Sequence, residues 1–204
     1  MAVPQSLTNG RHMSVDNIES NWKTYEKLCR RLSDDSLNSL LDTLGERVIM
    51  CPATPRTDQH NCEPGGLVQH SLDTTIMMRT LNESLGFNLP VASVLKVGLL
   101  HDIGKVGDLE NDYFIDQDSD WHREKLGQHY KYNEDLQKMA VSHRSLCLLQ
   151  HFGVKLTTEE WLAIQLAQGS HFEENRFYVG AEPSLALLLQ LAKRSTIHKT
   201  RSSV

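Results

Sequence analysis

The chain has little cysteine, no CxxC pair, and no apolar run long enough to cross a bilayer. Its 204 residues hold 4 cysteines, Cys29, Cys51, Cys62 and Cys147, scattered along the sequence. That usage argues against a disulfide framework and suits free thiols in a reducing cytoplasm. A spanning helix needs about 20 successive apolar residues, so the absence of such a run excludes a helical membrane anchor from the expectation. An excess of positive charge is also missing. Lys and Arg number 21 against 26 Asp and Glu, a formal net charge of -5. This argues against a general electrostatic role on nucleic acid or membrane surfaces, although net charge says nothing about a local basic groove. The opening MAVPQSLTNGRHMS lacks a basic start followed by an apolar block, so it reads as a flexible lead and not a secretory signal. There is no alternating strand pattern and no internal repeat. No aspartate follows Asp135.

What is present is helical periodicity. Ile18, Trp22, Tyr25, Leu28 and Leu32 share one face of a 3.6-residue repeat. Asp34 and Asp35 offer N-cap oxygens to a second helix carrying Leu37, Leu40, Leu41 and Leu44, with Gly45 as its end or a bend. CPATPRTDQHNCEPGG is a loop by its breakers. LVQHSLDTTIMMRTLNESLG is a long helix capped by Gly86, and Pro90 opens the next. GDLENDYFIDQDSDWHREKLGQHYKYN is acidic, aromatic and irregular, and reads as a surface excursion able to close over a site. Three more helices follow. EDLQKMAVSHRSLCLLQHFG is the first. Thr157 with Glu160 opens the second as a capping box. PSLALLLQLAKRST forms the third, apolar through Leu191 and deeply buried. FYVGAE suggests a short extended piece. The expectation is one all-α domain at residues 17–196, with a flexible lead at 1–16 and a flexible tail at 197–204.

Chemistry gathers in two places. His70 stands near the start of one helix, and His101 and Asp102 at the end of the next. A short NLPV link packs such helices antiparallel, so the three side chains can meet. Two imidazoles and a carboxylate make a partial shell for a divalent transition metal. Lys105, four residues after His101, could meet a substrate phosphate as a point charge, or be a solvated helix-end lysine. His60 is either a loop histidine bonded to backbone or a residue supporting that shell. Trp121, His122, Arg123, Lys125, His129, Tyr130, Lys131 and Tyr132 form a basic, aromatic cluster that could stack on a nucleotide or simply anchor a solvated loop.

PGGLVQHSL followed by LLHDIGK resembles the HD superfamily of metal-dependent phosphohydrolases. The form QHNCEPGGLVQHSL and the later HRSLCLLQHFGVKLTTEEWLAIQLAQGSHFEEN resemble HD proteins of bacteria and their viruses. The resemblance implies a compact helical HD domain with His70, His101 and Asp102 as metal ligands and a later aspartate completing the set. The ion, one of Mn, Mg, Co, Ni, Fe or Zn, would polarise a phosphoryl oxygen and activate water. Asp102 and Lys105 would be catalytic, with Lys105 on the substrate phosphate; apart from the resemblance, Arg144 and Lys193 are candidates for further phosphate contacts.

The chain departs from the family pattern at the distant aspartate. Where the family carries an Ala-Asp pair in its last core helix, this sequence reads LLLQLAKRST, with Lys193 after Ala192. The preceding helix, which often carries a histidine, reads QLAQG. His143, His171 and Glu174 are candidate substitutes. Two readings follow. The first is an enzyme, a metal-dependent phosphohydrolase acting on a nucleotide or another phosphate ester or anhydride, in the cytoplasm (a host's, if the chain is viral). The alternative is a degenerate HD domain that binds a nucleotide or a protein. The expected partner is a small phosphate or nucleotide, without a membrane, and a homo-oligomer is compatible with either reading.

Overall fold

Side-chain caps set where the first helices begin. In the computed structural model, which describes residues 13–170 and 172–202, the Ser14 hydroxyl accepts from the Asn17 amide and starts α1, Val15–Arg30. The Asp34 carboxylate accepts from the Ser36 and Leu37 amides and starts α2, Asp35–Met50. Each cap satisfies amides that a helix start leaves without partners. Gly45 neither ends nor bends off α2, which runs on to Met50. A Cβ there would lie 3.3 Å from the Trp22 ring, so the missing side chain lets α1 and α2 close on each other.

The Pro- and Gly-rich loop then turns the chain into α3, Gly66–Ser84. Gly65 has φ 83, a left-handed value that glycine adopts without steric cost. α4, Val91–Leu100, follows with Pro90 at its cap, and a 3-10 turn covers Ile103–Val106. α3 packs against α4 and against the last helix, α8, Ser184–Ser202. Leu67, Val68 and Leu72 of α3, Val97 and Leu100 of α4, and Leu185, Leu188 and Leu189 of α8 are all buried in one apolar core. Removing such surface from water at roughly 25 cal/mol per Å² is the main term holding the layers together.

α6, Val141–Phe152, and α7, Thr158–Gln165, complete the helical shell. The Thr157–Glu160 capping box forms as expected. The Glu160 carboxylate also accepts from Ser93 Oγ at 2.8 Å and Lys96 Nζ at 3.3 Å, tying α7 to α4.

Five expectations are corrected. The excursion after Gly107 is not irregular: β1, Phe114–Asp116, pairs antiparallel with β2, Tyr130–Tyr132, and α5, Asp120–Leu126, lies between them. Phe114 of β1 packs in tilted contacts against Tyr130 and Tyr132 of β2, and such cross-strand pairs stabilise a short ladder. α6 starts at Val141 and not near Glu134, because Asn133 Oδ1 accepts from the Asp135 amide in a turn and the Gln137 carbonyl accepts from Arg144 at 2.6 Å. α8 is not uniformly buried, since Leu187 and Leu191 are over a third exposed. It also continues to Ser202 through the stretch assigned to a tail. FYVGAE forms no strand, as Phe177 and Tyr178 end a 3-10 helix at Glu173–Tyr178. Residues 1–12 of the expected lead, and His171, lie outside the described residues. Among the described residues, no helix is long and apolar enough to cross a membrane.

Candidate functional site

The antiparallel pairing of α3 and α4 brings His70 and His101 together, their ring centroids 5.6 Å apart. His101 Nδ1 lies 2.9 Å from the Gly98 carbonyl. A carbonyl only accepts, so Nδ1 carries the proton and Nε2 keeps its lone pair. That Nε2 is 3.6 Å from Asp102 Oδ2, and His70 Nε2 is 3.9 Å from the same oxygen. One ligand-type atom from each of His70, His101 and Asp102 falls within 4.8 Å of the others, and all three residues are buried. The sequence-predicted trio therefore meets.

Lysines hold both oxygens of the carboxylate. Lys193 Nζ from α8 lies 2.9 Å from Asp102 Oδ1, and Lys105 Nζ from the 3-10 turn lies 2.8 Å from Oδ2. Gln168 Nε2 also donates to Oδ1 at 2.9 Å. Burial alone would raise the Asp102 carboxyl, but the two ammonium groups prevail and hold it well below the usual carboxylate range. Burial pushes the Lys193 ammonium down, against the pull of Asp102. With one negative and two positive groups, the cluster keeps an excess positive charge.

Backbone contacts hold Lys105 in place. The Cys51 thiol donates to its carbonyl at 3.2 Å, and burial raises that thiol to about 12, so Cys51 stays protonated and able to donate. The Gly104 amide donates to Ser145 Oγ at 2.9 Å. A Cβ at Gly104 would lie 2.5 Å from both the Ser145 nitrogen and the Val141 carbonyl oxygen. Those are backbone atoms of α6 and cannot step aside. Gly104→Ala should therefore lower stability by about 1–3 kcal/mol, the usual cost of overpacking, and shift Lys105. A urea midpoint unchanged from the parent would contradict this.

A cavity of about 390 Å³ opens above the cluster, within the usual range for small-molecule pockets, roughly 300–1,000 Å³. Its charged wall is Lys105, Lys193, Arg194 and Arg201, and Tyr113, Phe114 and Tyr132 stand in its aromatic part. Among the described residues, no carboxylate lines it. His60 also lines it, is 7% exposed, and has no hydrogen-bond partner on either ring nitrogen among the described residues. Burial drives its imidazole down to about 3. It is thus a neutral group with one N–H and one lone pair to offer. Its ring centroid lies 4.6 Å from that of His70, whose nitrogens likewise lack partners.

Other predicted residues fall elsewhere. Arg144 is buried, donates to the Gln137 carbonyl, and sits 5.5 Å over the Tyr113 ring; it does not line the cavity. His143 Nε2 meets Gln165 at 2.9 Å. Of the basic and aromatic cluster, Tyr132 reaches the cavity, while Lys131 pairs with Asp118 at 2.8 Å and Arg123 with Asp120. Sequence reasoning missed Gln190, Arg194 and Arg201. Their signal was a stripe with Lys193 and Ile197 at three- and four-residue steps along one helix, hidden by the assignment of Arg201 to a tail.

The buried His-His-Asp cluster at the junction of two antiparallel helices agrees with one comparison. The HD domain family model matches residues 67–195, over half of the chain. The chain belongs to the HD domain family. No curated protein and no solved structure matches it. HD domains are typically metal-dependent phosphohydrolases that bind divalent ions, and this HD domain keeps a His-His-Asp cluster of the kind that can hold one.

The remaining donor set does not fit that ion well. A divalent cation on Asp102 would sit near two ammonium groups. At about 4 Å and an effective dielectric near 20, each ammonium would oppose it by on the order of 8 kcal/mol. Asp102 Oδ2 and the Nε2 atoms of His70 and His101 lack hydrogen-bond partners among the described residues, and the two ammonium groups stand against a cation placed among them.

Proposed function

We propose that this HD domain binds a small phosphate-bearing molecule, a nucleotide or another phosphate ester, in the cavity above Asp102, and that it acts as a binding domain. The observation that carries this reading is the cavity's charge. Four cations and, among the described residues, no carboxylate line it, although the whole chain has a net charge of -5. A cationic concavity with low-dielectric walls focuses the field and draws in anions. Lys105 and Lys193 each have hydrogen-bonding capacity beyond Asp102, because an ammonium carries three donors. Arg194 and Arg201 add planar donors suited to phosphate oxygens.

Metal-dependent phosphohydrolysis is the second reading. The convergence of His70, His101 and Asp102 favours it.

Isothermal titration with pyrophosphate and a panel of nucleotides separates the two. In the presence of a chelator, the expected result is saturable, salt-sensitive binding that weakens at least tenfold in Lys105→Met, since a charged hydrogen bond contributes about 1.5–3 kcal/mol. Turnover of any panel member that requires Mn²⁺ or Mg²⁺ and vanishes in Asp102→Ala would replace this reading with the hydrolase.

A further inference from the structure

We infer that Lys193 is a resident cation: its ammonium takes the place of a divalent ion at Asp102, so the site binds anions without metal. This rests on the anion-binding reading above and goes beyond it by assigning a mode of binding. Three observations combine. Lys193 is buried, and its ammonium reaches Asp102 from α8, 91 residues along the chain. The amide of Gln168 shares the same Asp102 oxygen, so that oxygen is fully engaged by protein donors. Lys105 and Lys193 both pair with Asp102 and both line the cavity, so the two lysines supply the positive charge beneath it. A fixed ammonium does part of what a metal does here. It neutralises the carboxylate, orients it, and presents an N–H to an anion from below, but it cannot activate water.

Position 193 should then be where a metal ligand would stand. Restoring a carboxylate there removes the repulsive charge and adds a donor to His70, His101 and Asp102. The test is elemental analysis of the parent chain and Lys193→Asp, each dialysed against Mn²⁺ and freed of excess, together with thermal melts with and without Mn²⁺. The parent should carry no stoichiometric ion and melt at the same temperature in either state. Lys193→Asp should carry one ion per chain and melt higher with Mn²⁺ than with chelator. Lys193→His, which supplies a neutral ligand, provides the same readout if the aspartate variant does not fold.

One ion held by the parent overturns the inference. So does a folded Lys193→Asp or Lys193→His that takes up no ion, because position 193 would then not be a ligand position. Pyrophosphate titration runs beside these measurements and isolates the underlying reading. An affinity equal with Mn²⁺ and with chelator supports the inference, and binding that requires Mn²⁺ overturns it. An absence of pyrophosphate binding in both states counts against the anion-binding reading, whatever the metal analysis gives.

Discussion

Asp102→Ala should be among the most damaging single changes to stability, at about 3–5 kcal/mol, the cost of breaking a buried ion pair by removing one partner. In a domain of this size that is a fall in melting temperature of roughly 6–20 °C. The side chain is 0% exposed, accepts from Lys193 and Gln168, and pairs with the Lys105 ammonium. Its loss leaves two ammonium groups and an amide in the core with no carboxylate to meet. Part of the cost should be reversible by removing one of those buried charges. Asp102→Leu combined with Lys193→Met places two apolar side chains there and should recover part of the stability, since replacing a buried pair with well-packed apolar groups is often neutral, while Lys105 still lacks its carboxylate. Urea titrations of the two single variants and the double variant give the coupling between them. A double variant no more stable than Asp102→Ala would show that Lys193 is not what suffers when Asp102 is lost.

The second large effect is acid sensitivity beginning near pH 6.5. Burial holds His60 down to about 3, His101 down to about 4, and His70 well below its ordinary value of 6.5. The sign follows from linkage. Below pH 6.5 the unfolded chain takes up protons at these three positions and the folded chain does not, so falling pH favours unfolding. The stability they confer is complete above pH 6.5 and is lost as pH drops towards the folded values. With three such sites the slope approaches about 4 kcal/mol per pH unit once pH is well below 6.5. Asp102 adds to this below about pH 4, because its folded carboxyl titrates well under 3.8, so only the unfolded chain gains that proton near its ordinary value. Unfolding free energies from urea titrations at pH 7.5, 6.0 and 5.0 test this. His60→Gln should reduce the slope by about one proton's share, roughly 1.4 kcal/mol per unit. A free energy that does not change between pH 6.5 and 5 would contradict the burial of these imidazoles.

Much of this molecule was legible in the sequence because the relevant physics is local. An aspartate or threonine before an apolar repeat caps a helix wherever the helix ends up, so α2 and α7 begin where their caps predict. The short link between α3 and α4 forces antiparallel packing, which is why His70, His101 and Asp102 could be placed together from spacing alone. The same locality explains the failures. The strands β1 and β2 are three residues each, too short for an alternation to show. The helical run of Arg201 beyond Ile197 looked like a polar tail, because its role depends on a cavity built by distant segments.

By itself the sequence determined an all-α chain, the starts of α2 and α7, and the meeting of two histidines with an aspartate. Only the tertiary structure decided what Lys193 does. It could have turned to solvent, but α8 packs against α3 with position 193 facing inward, and the nearest anion is Asp102. A buried ammonium must find a carboxylate or shed its charge. The packing of three helices supplies that partner, and no pattern of neighbouring residues could reveal it.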